Sequence, residues 1–157
     1  MEKSGYYNVR EKKYIDKDNM TWITLVFDPI RQDSITTQVK NHCRYLYHCS
    51  PERTHDDIIQ KGLIAQNQGR VYHYNEPRVY LYVGNPNDED YKRMMRNVSQ
   101  NRKRRMNIEE SYYQYEIRTS KLPESIEFFQ DPHGKNCIFT PNDIPLKSIT
   151  DWEIVNF

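Results

Sequence analysis

A chain of 157 residues has the size of one domain, with room for a single hydrophobic core. Its 23 basic and 22 acidic residues nearly cancel, so overall charge indicates no polyanionic partner and only a local cluster of charge could bind one. No apolar run approaches the roughly 20 residues that a membrane-spanning helix needs. We therefore expect one soluble domain without a membrane segment.

The cysteines and histidines are spaced unlike a metal site. Cys43, Cys49 and Cys137 are odd in number and form no CxxC pair, and no signal-peptide pattern precedes them. We expect reduced thiols in a cytoplasmic protein. No HxxxH or HExxH pair occurs among the five histidines, so no metal is expected. These five are His42, His48, His55, His73 and His133.

The first half of the chain contains two predicted strands and a short helix. Residues 1–20 are charged and read as a lead-in without chemistry. The β-branched stretch 21–27 predicts a strand, whereas 31–41 fits either a loop or a short helix. Residues 45–49 predict a second strand. A helix follows, with Thr54 as the start of a capping box and Gly62 as a left-handed stop.

The second half adds strands around one longer helix. In residues 78–83, Val79, Leu81 and Val83 face one way and Tyr80 and Tyr82 the other, toward a cleft or a second layer. An apolar i, i+3, i+4, i+7 pattern predicts a helix from residue 88 to about 106. Further strands are expected at residues 112–118, 126–129, 136–140 and 149–157. The pattern indicates an α+β domain rich in strands.

His48 and Ser50 share one face at the end of a predicted strand, just before a helix. Both can therefore hydrogen-bond one ligand, with a neutral His48 imidazole donating to a ribose hydroxyl. The alternative is an interior histidine beside a serine that only leads into the helix, and the residues alone favour it. Cys49 faces the opposite way, which argues against a cysteine–histidine nucleophile pair and an ordinary hydrolase.

Several short motifs occur in order. They are Tyr47-His-Cys-Ser50, a helix ending in Gly62-Leu-Ile64, Arg78-Val-Tyr-Leu-Tyr82, and Cys137-Ile-Phe-Thr140 followed by Ile144-Pro145 and Ile149. Together they resemble the histidine–tyrosine branch of the ADP-ribosyltransferase superfamily, which includes diphtheria-type toxins, poly-ADP-ribose polymerases and RNA 2′-phosphotransferases. The resemblance spans 44–157 and implies a split β-sheet sandwich with two or three short helices. Residues 1–43 would be an N-terminal lead-in with one strand.

The resemblance also implies roles for individual residues, with NAD as substrate. His48 matches the histidine that anchors the nicotinamide-side ribose, and Ser50 matches the hydroxyl residue that follows it. Tyr80 matches the tyrosine that stacks on nicotinamide, and Tyr82 is the weaker match. Cys49 stands where the family has glycine.

The catalytic glutamate of the transferases has no counterpart. Asn136 occupies the best-aligned position, and Glu116 is the nearest carboxylate on a strand. The family glutamate orients a ribose hydroxyl and stabilises the oxocarbenium-like state as nicotinamide leaves. RNA 2′-phosphotransferases use arginines to position a phosphate nucleophile instead.

A cluster of basic residues on the long predicted helix suggests an acceptor. Between residues 91 and 106 there are seven basic residues and no acidic one, a pattern that favours RNA or DNA. A solvated helix face is the alternative. Arg53 and Arg70 lie in predicted loops and could bind the NAD pyrophosphate. The basic residues are Lys92, Arg93, Arg96, Arg102, Lys103, Arg104 and Arg105.

Three functions are compatible with this sequence. The first is an NAD-dependent ADP-ribosyltransferase, a glycosyltransferase that modifies a protein or nucleic-acid acceptor. The second is a non-catalytic module on the same fold that binds nucleic acid or protein. The third is an NAD-dependent RNA 2′-phosphotransferase.

Overall fold

A computed structural model describes residues 2–4, 7–15, 17–29, 34–65, 73–74, 77–107, 109–131 and 136–157. Within these residues there are ten strands and three α-helices. In chain order they are β1 (Glu2–Ser4), β2 (Tyr7–Ile15), β3 (Thr21–Pro29), α1 (Thr36–His42), β4 (Tyr45–Pro51), α2 (His55–Lys61), β5 (His73–Tyr74), β6 (Val79–Tyr82), α3 (Glu89–Met106), β7 (Tyr112–Arg118), β8 (Phe129–Gln130), β9 (Cys137–Thr140) and β10 (Ile149–Val155).

The N-terminal residues form a sheet of their own, in the order β1-β2-β3-β5. β2 and β3 pair from Tyr7↔Pro29 to Ile15↔Thr21, and Asn19 enters the turn between them at φ 64°. The prediction of an irregular lead-in with one strand is therefore wrong. The apolar content of residues 7–15 is low, but pairing over nine residues satisfies the backbone whatever the side chains are.

The second sheet has six strands in the order β10-β7-β4-β6-β9-β8, with every pair antiparallel. The α+β class is thus confirmed. The predicted strands at 45–49 and 112–118 are confirmed, and α1 occupies the stretch where a loop and a helix both fitted. The strand expected at 126–129 is misplaced, because Ile126 and Phe128 are buried in the loop before β8.

One face of this sheet, called the first face, carries the main core. Leu46, Leu81, Ile117 and Ile138 lie there, 0–3% exposed. Val39 of α1 and Ile58 of α2 pack against them. The aliphatic residues of the strands alternate with residues of the opposite face, as the period-2 pattern requires.

The opposite, second face is covered by α3. Tyr82 is 5% exposed, and its ring lies 4.2 Å from that of Tyr91 on the helix, next to Met95 and Cys137. The prediction that the Tyr82 ring points toward a second layer is confirmed. The helix prediction is also confirmed, and Asn107 ends α3 in the left-handed conformation at φ 52°.

The second sheet opens between β4 and β6. β4 pairs with β7 from Tyr45↔Arg118 to Pro51↔Tyr112, but in the described strands its one registered pair with β6 is Tyr47↔Tyr82. Beyond that pair the ladder is replaced by a side chain, since His48 Nδ1 lies 2.7 Å from the Tyr80 carbonyl.

Thr54 does not cap α2 with its side chain, contrary to the prediction. It is the last residue of a 3-10 turn, Glu52–Thr54, at φ −89° and ψ −6°. An N-cap needs an extended backbone, and the Thr54 hydroxyl donates instead to the Pro51 carbonyl at 2.7 Å. Gly62 does stop the helix, as expected, at φ 78°.

Gly62→Ala should destabilise the domain by at least about 2 kcal/mol, measured by urea unfolding. An added Cβ would lie 2.4 Å from the Ile144 carbonyl oxygen, and the positive φ disfavours any side chain. Gly84→Ala is the matched control, because Gly84 also has a positive φ, 143°, but a Cβ there meets only the Tyr82 side chain at 3.2 Å or more. Equal losses in the two variants would contradict the backbone clash.

Candidate functional site

His48 is half-buried on the first face, and its ring nitrogens have distinct roles. A carbonyl oxygen only accepts, so Nδ1–H donates to the Tyr80 carbonyl at 2.7 Å. In the neutral ring Nε2 then carries the lone pair. A neutral His48 therefore has no proton on Nε2, whereas the sequence suggested that the imidazole donates to a ribose hydroxyl.

Ser50 lies on the same face, two residues further along β4. Its Oγ is 2.7 Å from Thr54 Oγ1, and Thr54 uses its single proton on the Pro51 carbonyl. Ser50 must therefore donate to Thr54, which leaves lone pairs on Ser50 Oγ to accept. His48 and Ser50 thus lie on one face of β4, and each is held by a hydrogen bond to a neighbouring segment.

A ring cluster lies beside these two residues on the first face. Tyr115 is fully buried, and its ring centroid is 6.4 Å from that of His48 and 5.9 Å from that of His55. The Tyr115 hydroxyl lies 2.8 Å from His55 Nδ1. Burial raises the pKa of Tyr115, so its hydroxyl stays protonated and forms a hydrogen bond with His55 Nδ1.

His55 was missed as a site residue because the capping-box motif at Thr54 explained the surrounding residues. The sequence signal was available: a histidine in the first turn of a helix whose preceding strand ends in His48 and Ser50. Its ring stacks on Tyr113 at 3.7 Å with an interplanar angle of 7°. This contact could not be predicted, since it depends on the pairing of β4 with β7.

The structure places the Tyr80 and Tyr82 rings on the second face, away from the His48 ring. Tyr80 pairs with Phe139 and Tyr82 with Tyr47 and Cys137, all second-face positions. The Tyr80 ring lies 6.1 Å from that of Phe139. The His48 imidazole thus contacts the backbone of Tyr80, while the ring of His48 and the ring of Tyr80 lie on opposite faces of the sheet.

Arg78 is a second residue that the sequence reasoning missed. It is 2% exposed, and its guanidinium lies 3.8 Å from the centroid of the Phe139 ring, a cation–π contact. Burial lowers the pKa of Arg78, an effect that Tyr80 and Asp131 oppose. A charged residue at the start of an alternating aromatic strand was the available signal.

Glu116 and Asn136 stand apart from the His48 face. Glu116 pairs with Tyr47 on the second face, where burial and then the Glu116 charge raise the pKa of Tyr47. Asn136 is exposed at φ 58°, and its carbonyl accepts the Val83 N–H at 2.9 Å. Asparagine tolerates this left-handed conformation better than most residues do. The backbone of the turn before β9 therefore explains why an asparagine is suited to position 136.

Arg53 and Arg70 are the two arginines proposed to bind a pyrophosphate, and the structure describes the first of them. Arg53 is half-exposed, and its Nε lies 3.8 Å from Glu110, which also binds Arg102 at 3.1 Å. Arg53 is thus held at the end of α3 through a shared carboxylate. Arg70 lies outside the described residues.

The basic side of α3 is largely paired, so the expectation of seven charges without a counter-charge is wrong. The first-turn acids Glu89 and Asp90 pair with the N-terminal basic residues, and Glu109 and Glu110 pair with those near the C-terminus. In the described part of the chain, Arg104 and Arg105 have no acidic partner. The pairs are Lys92–Glu89, Arg93–Asp90, Arg96–Glu89, Arg102–Glu110 and Lys103–Glu109, at 3.1–4.0 Å.

The Cys49 thiol faces α3 and lies 3.0 Å from the Tyr91 hydroxyl. His48 and Cys49 therefore lie on opposite faces, as predicted. Burial raises the pKa of Cys49 to about 11, against a smaller opposite effect of the Tyr91 hydrogen bond. Burial likewise raises the pKa of Cys137 to about 11. Neither thiol is activated as a nucleophile.

Alkylation by iodoacetamide at pH 8 should be at least about 100-fold slower for Cys49 and Cys137 in the folded protein than in urea. A thiol with a pKa near 11 is ionised in about one molecule in a thousand at this pH, against about a quarter for an ordinary cysteine. Peptide mass spectrometry after timed quenching measures each site separately. Fast native labelling of Cys49 would contradict its assignment as a packing residue.

Within the described residues, no group of three His, Cys, Asp or Glu side chains is arranged to hold a metal ion. A helix long and apolar enough to cross a membrane is also absent from them. No protein-family model matches the chain, and no curated protein matches it. The functional reading therefore depends on the geometry of the site itself.

Proposed function

We propose that this chain is an NAD-dependent ADP-ribosyltransferase-like protein of the cytoplasm, with a split β-sheet, that transfers ADP-ribose to a protein or nucleic-acid acceptor. The observation that carries the proposal is the opening between β4 and β6. There the His48 side chain bonds to the Tyr80 carbonyl in place of the backbone ladder, on the same face of the sheet as Ser50.

In our proposal the ribose of NAD is held at His48 and Ser50. The Tyr80 carbonyl holds the His48 ring and Thr54 holds the Ser50 hydroxyl, so both side chains have a set orientation on one face. These bonds set the His48 tautomer and the orientation of the Ser50 hydroxyl before a ligand binds. Binding therefore costs little conformational entropy at these two side chains.

The reaction itself needs few protein groups. The bond between ribose C1′ and the nicotinamide nitrogen breaks, nicotinamide leaves as a neutral molecule, and an oxygen or nitrogen of the acceptor bonds to C1′ while releasing its proton. An enzyme contributes ribose anchoring, ring binding and a positioned acceptor. In our proposal His48 and Ser50 supply the anchoring without help from Glu116, whose side chain belongs to the second face.

His48→Asn and His48→Gln separate the structural role of this histidine from its ligand role. The asparagine amide reaches the position of Nδ1, so it keeps the donor to Tyr80 and removes Nε2. The glutamine amide reaches the position of Nε2 and loses the Tyr80 bond. We expect His48→Asn to retain stability within about 1 kcal/mol and to lose at least about tenfold in nicotinamide release.

The measurement is release of nicotinamide from labelled NAD in cell extract, with incorporation of label into macromolecules, beside urea unfolding of each variant. His42→Asn, an exposed position at the end of α1, is the matched control and should behave as wild type. A wild-type chain that neither binds nor consumes NAD would refute the proposed function. A 2′-phosphorylated RNA oligonucleotide tests the alternative function, RNA 2′-phosphotransferase, which would yield a cyclic-phosphate product.

A second candidate function is a nucleic-acid-binding module, favoured by Arg104 and Arg105 at the C-terminal end of α3, which have no acidic partner among the described residues. The paired basic residues must break their ion pairs with Asp or Glu before they can contact phosphates. Arg104 and Arg105 should therefore contribute most of the affinity for nucleic acid.

Replacing both Arg104 and Arg105 by glutamine should reduce the salt dependence of nucleic-acid binding by about 2 in the slope of log K against log salt. Gel-shift titrations of an RNA or DNA oligonucleotide at several salt concentrations measure it. The control replaces Lys92 and Arg93 by glutamine, since both pair with acids of the first turn. Equal effects of the two double variants would show that α3 binds through its total charge.

A further inference from the structure

The last strand of the second sheet, β10, has one free edge among the described strands. β7 pairs with it on one side, and no described strand lies on the other. An edge of this kind presents backbone N–H and C=O groups to which a further strand can pair. All five residues from 150 to 154 are exposed, so both faces of β10 are open beside that edge.

The first-face side of this edge is apolar. Trp152 is 41% exposed and Ile154 is 52% exposed. They pair with Tyr115 and Tyr113 of β7, which are first-face positions. The two apolar side chains therefore continue the rows of the first face as far as the free edge, where they remain exposed.

An aromatic contact sets the position of Trp152. Its ring lies 5.7 Å from that of His55 at an interplanar angle of 64°, and we call this contact the His55–Trp152 corner. The His55 ring in turn stacks on Tyr113 at 3.7 Å. Because the indole already packs on one side, covering its exposed side costs little further side-chain entropy.

The second-face side of the same edge is acidic. Asp151 pairs with Glu116, and Glu153 pairs with Gln114. Two carboxylates thus stand directly opposite each other in neighbouring strands, an arrangement that like charge disfavours. Asp151 also accepts the Trp152 backbone N–H at 2.8 Å, but in the described part of the chain none of the three acids forms an ion pair. A basic partner would relieve this repulsion.

We propose that the free edge of β10 binds an extended, basic segment of another protein as an added strand. Opposite residues of neighbouring strands share a face, so the residues of the segment opposite Trp152 and Ile154 are apolar. Those opposite Asp151 and Glu153 are lysine or arginine. The bound segment therefore alternates apolar and basic residues, and its main chain pairs with the edge.

A second copy of this chain fits the edge less well. Two β10 strands related by a two-fold axis would pair antiparallel, with second-face residues opposite second-face residues. Asp151 and Glu153 of one copy would then face the same acids of the other, which is destabilising. Asp56, which is exposed and follows His55 in the first turn of α2, adds negative charge on the first-face side. The charge at this edge thus favours a basic partner.

A labelled peptide of seven residues, the length of β10, tests this surface. The probe alternates lysine with valine, and its counterpart has glutamate in place of lysine. Fluorescence anisotropy at low salt should show that the lysine peptide binds at least about tenfold tighter than the glutamate peptide. In Trp22→Phe, Trp152 is the single tryptophan, and its emission should shift to shorter wavelength as the lysine peptide covers the indole.

Methylated peptides separate strand pairing from the attraction of charge alone. A strand at a sheet edge turns the N–H groups of every second residue toward the sheet. Methylating the amides of one alternate set should abolish binding, whereas methylating the other set should leave Kd within about threefold. Equal effects of the two sets would overturn the proposal, and so would equal affinities of the lysine and glutamate peptides.

Charge reversal in the protein should reverse the preference. Asp151→Lys combined with Glu153→Lys should bind the glutamate peptide at least about tenfold tighter than the lysine peptide. Glu124→Lys combined with Glu127→Lys is the matched control, since both residues are exposed and lie in the loop before β8, at the opposite edge of the sheet. The control changes net charge equally and should keep the wild-type preference. A reversed preference in the control would overturn the proposal.

Trp152→Thr should weaken binding of the lysine peptide about tenfold, because the apolar contact is lost. The side chain is exposed, so the variant should fold, and urea unfolding verifies this. A wild-type chain that dimerises in sedimentation, with the dimer lost in Trp152→Thr, would assign the edge to a second copy and overturn the proposal. The surface contains neither His48 nor Ser50, so nicotinamide release bears on the transferase function alone.

Discussion

The hydrogen bond from His48 to the Tyr80 carbonyl is the contact on which the site depends. β4 and β6 pair at Tyr47↔Tyr82 and then separate, and an open ladder leaves backbone groups that need partners. His48 satisfies one of them with its side chain. The same bond sets the tautomer of a neutral imidazole, so a requirement of the fold determines which ring nitrogen carries the proton. An alanine at this position would remove the partner of the Tyr80 carbonyl.

Strand alternation divides the chemistry of the second sheet between its faces. The first face has His48, Ser50, the His55 corner and the aliphatic core, and the second has Cys49, Tyr82, Glu116 and the long helix α3. On the second face, burial raises the pKa of Cys49, and the first-turn acids of α3 pair with basic residues of the same helix. The first face near β10 stays open, since neither α1 nor α2 buries Trp152.

Local patterns predicted the elements that local interactions determine. The helix at α3 followed from its apolar period, and the opposite orientation of His48 and Cys49 followed from their adjacency in a strand. The N-terminal strands were not predictable from residues 7–15, because their pairing with β3 satisfies the backbone without an apolar pattern. The charge on α3 was overestimated because Glu109 and Glu110 follow the helix and fold back on it. The His55–Trp152 corner depends on three strands brought together over a hundred residues, which no window of sequence contains.

Asn136 has a physical reason that is independent of catalysis. Its left-handed backbone and its carbonyl bond to Val83 start β9 beside β6, and a glutamate in that conformation would strain the turn that aligns the two strands. A carboxylate at this point would therefore act against the sheet that holds the Tyr80 carbonyl for His48.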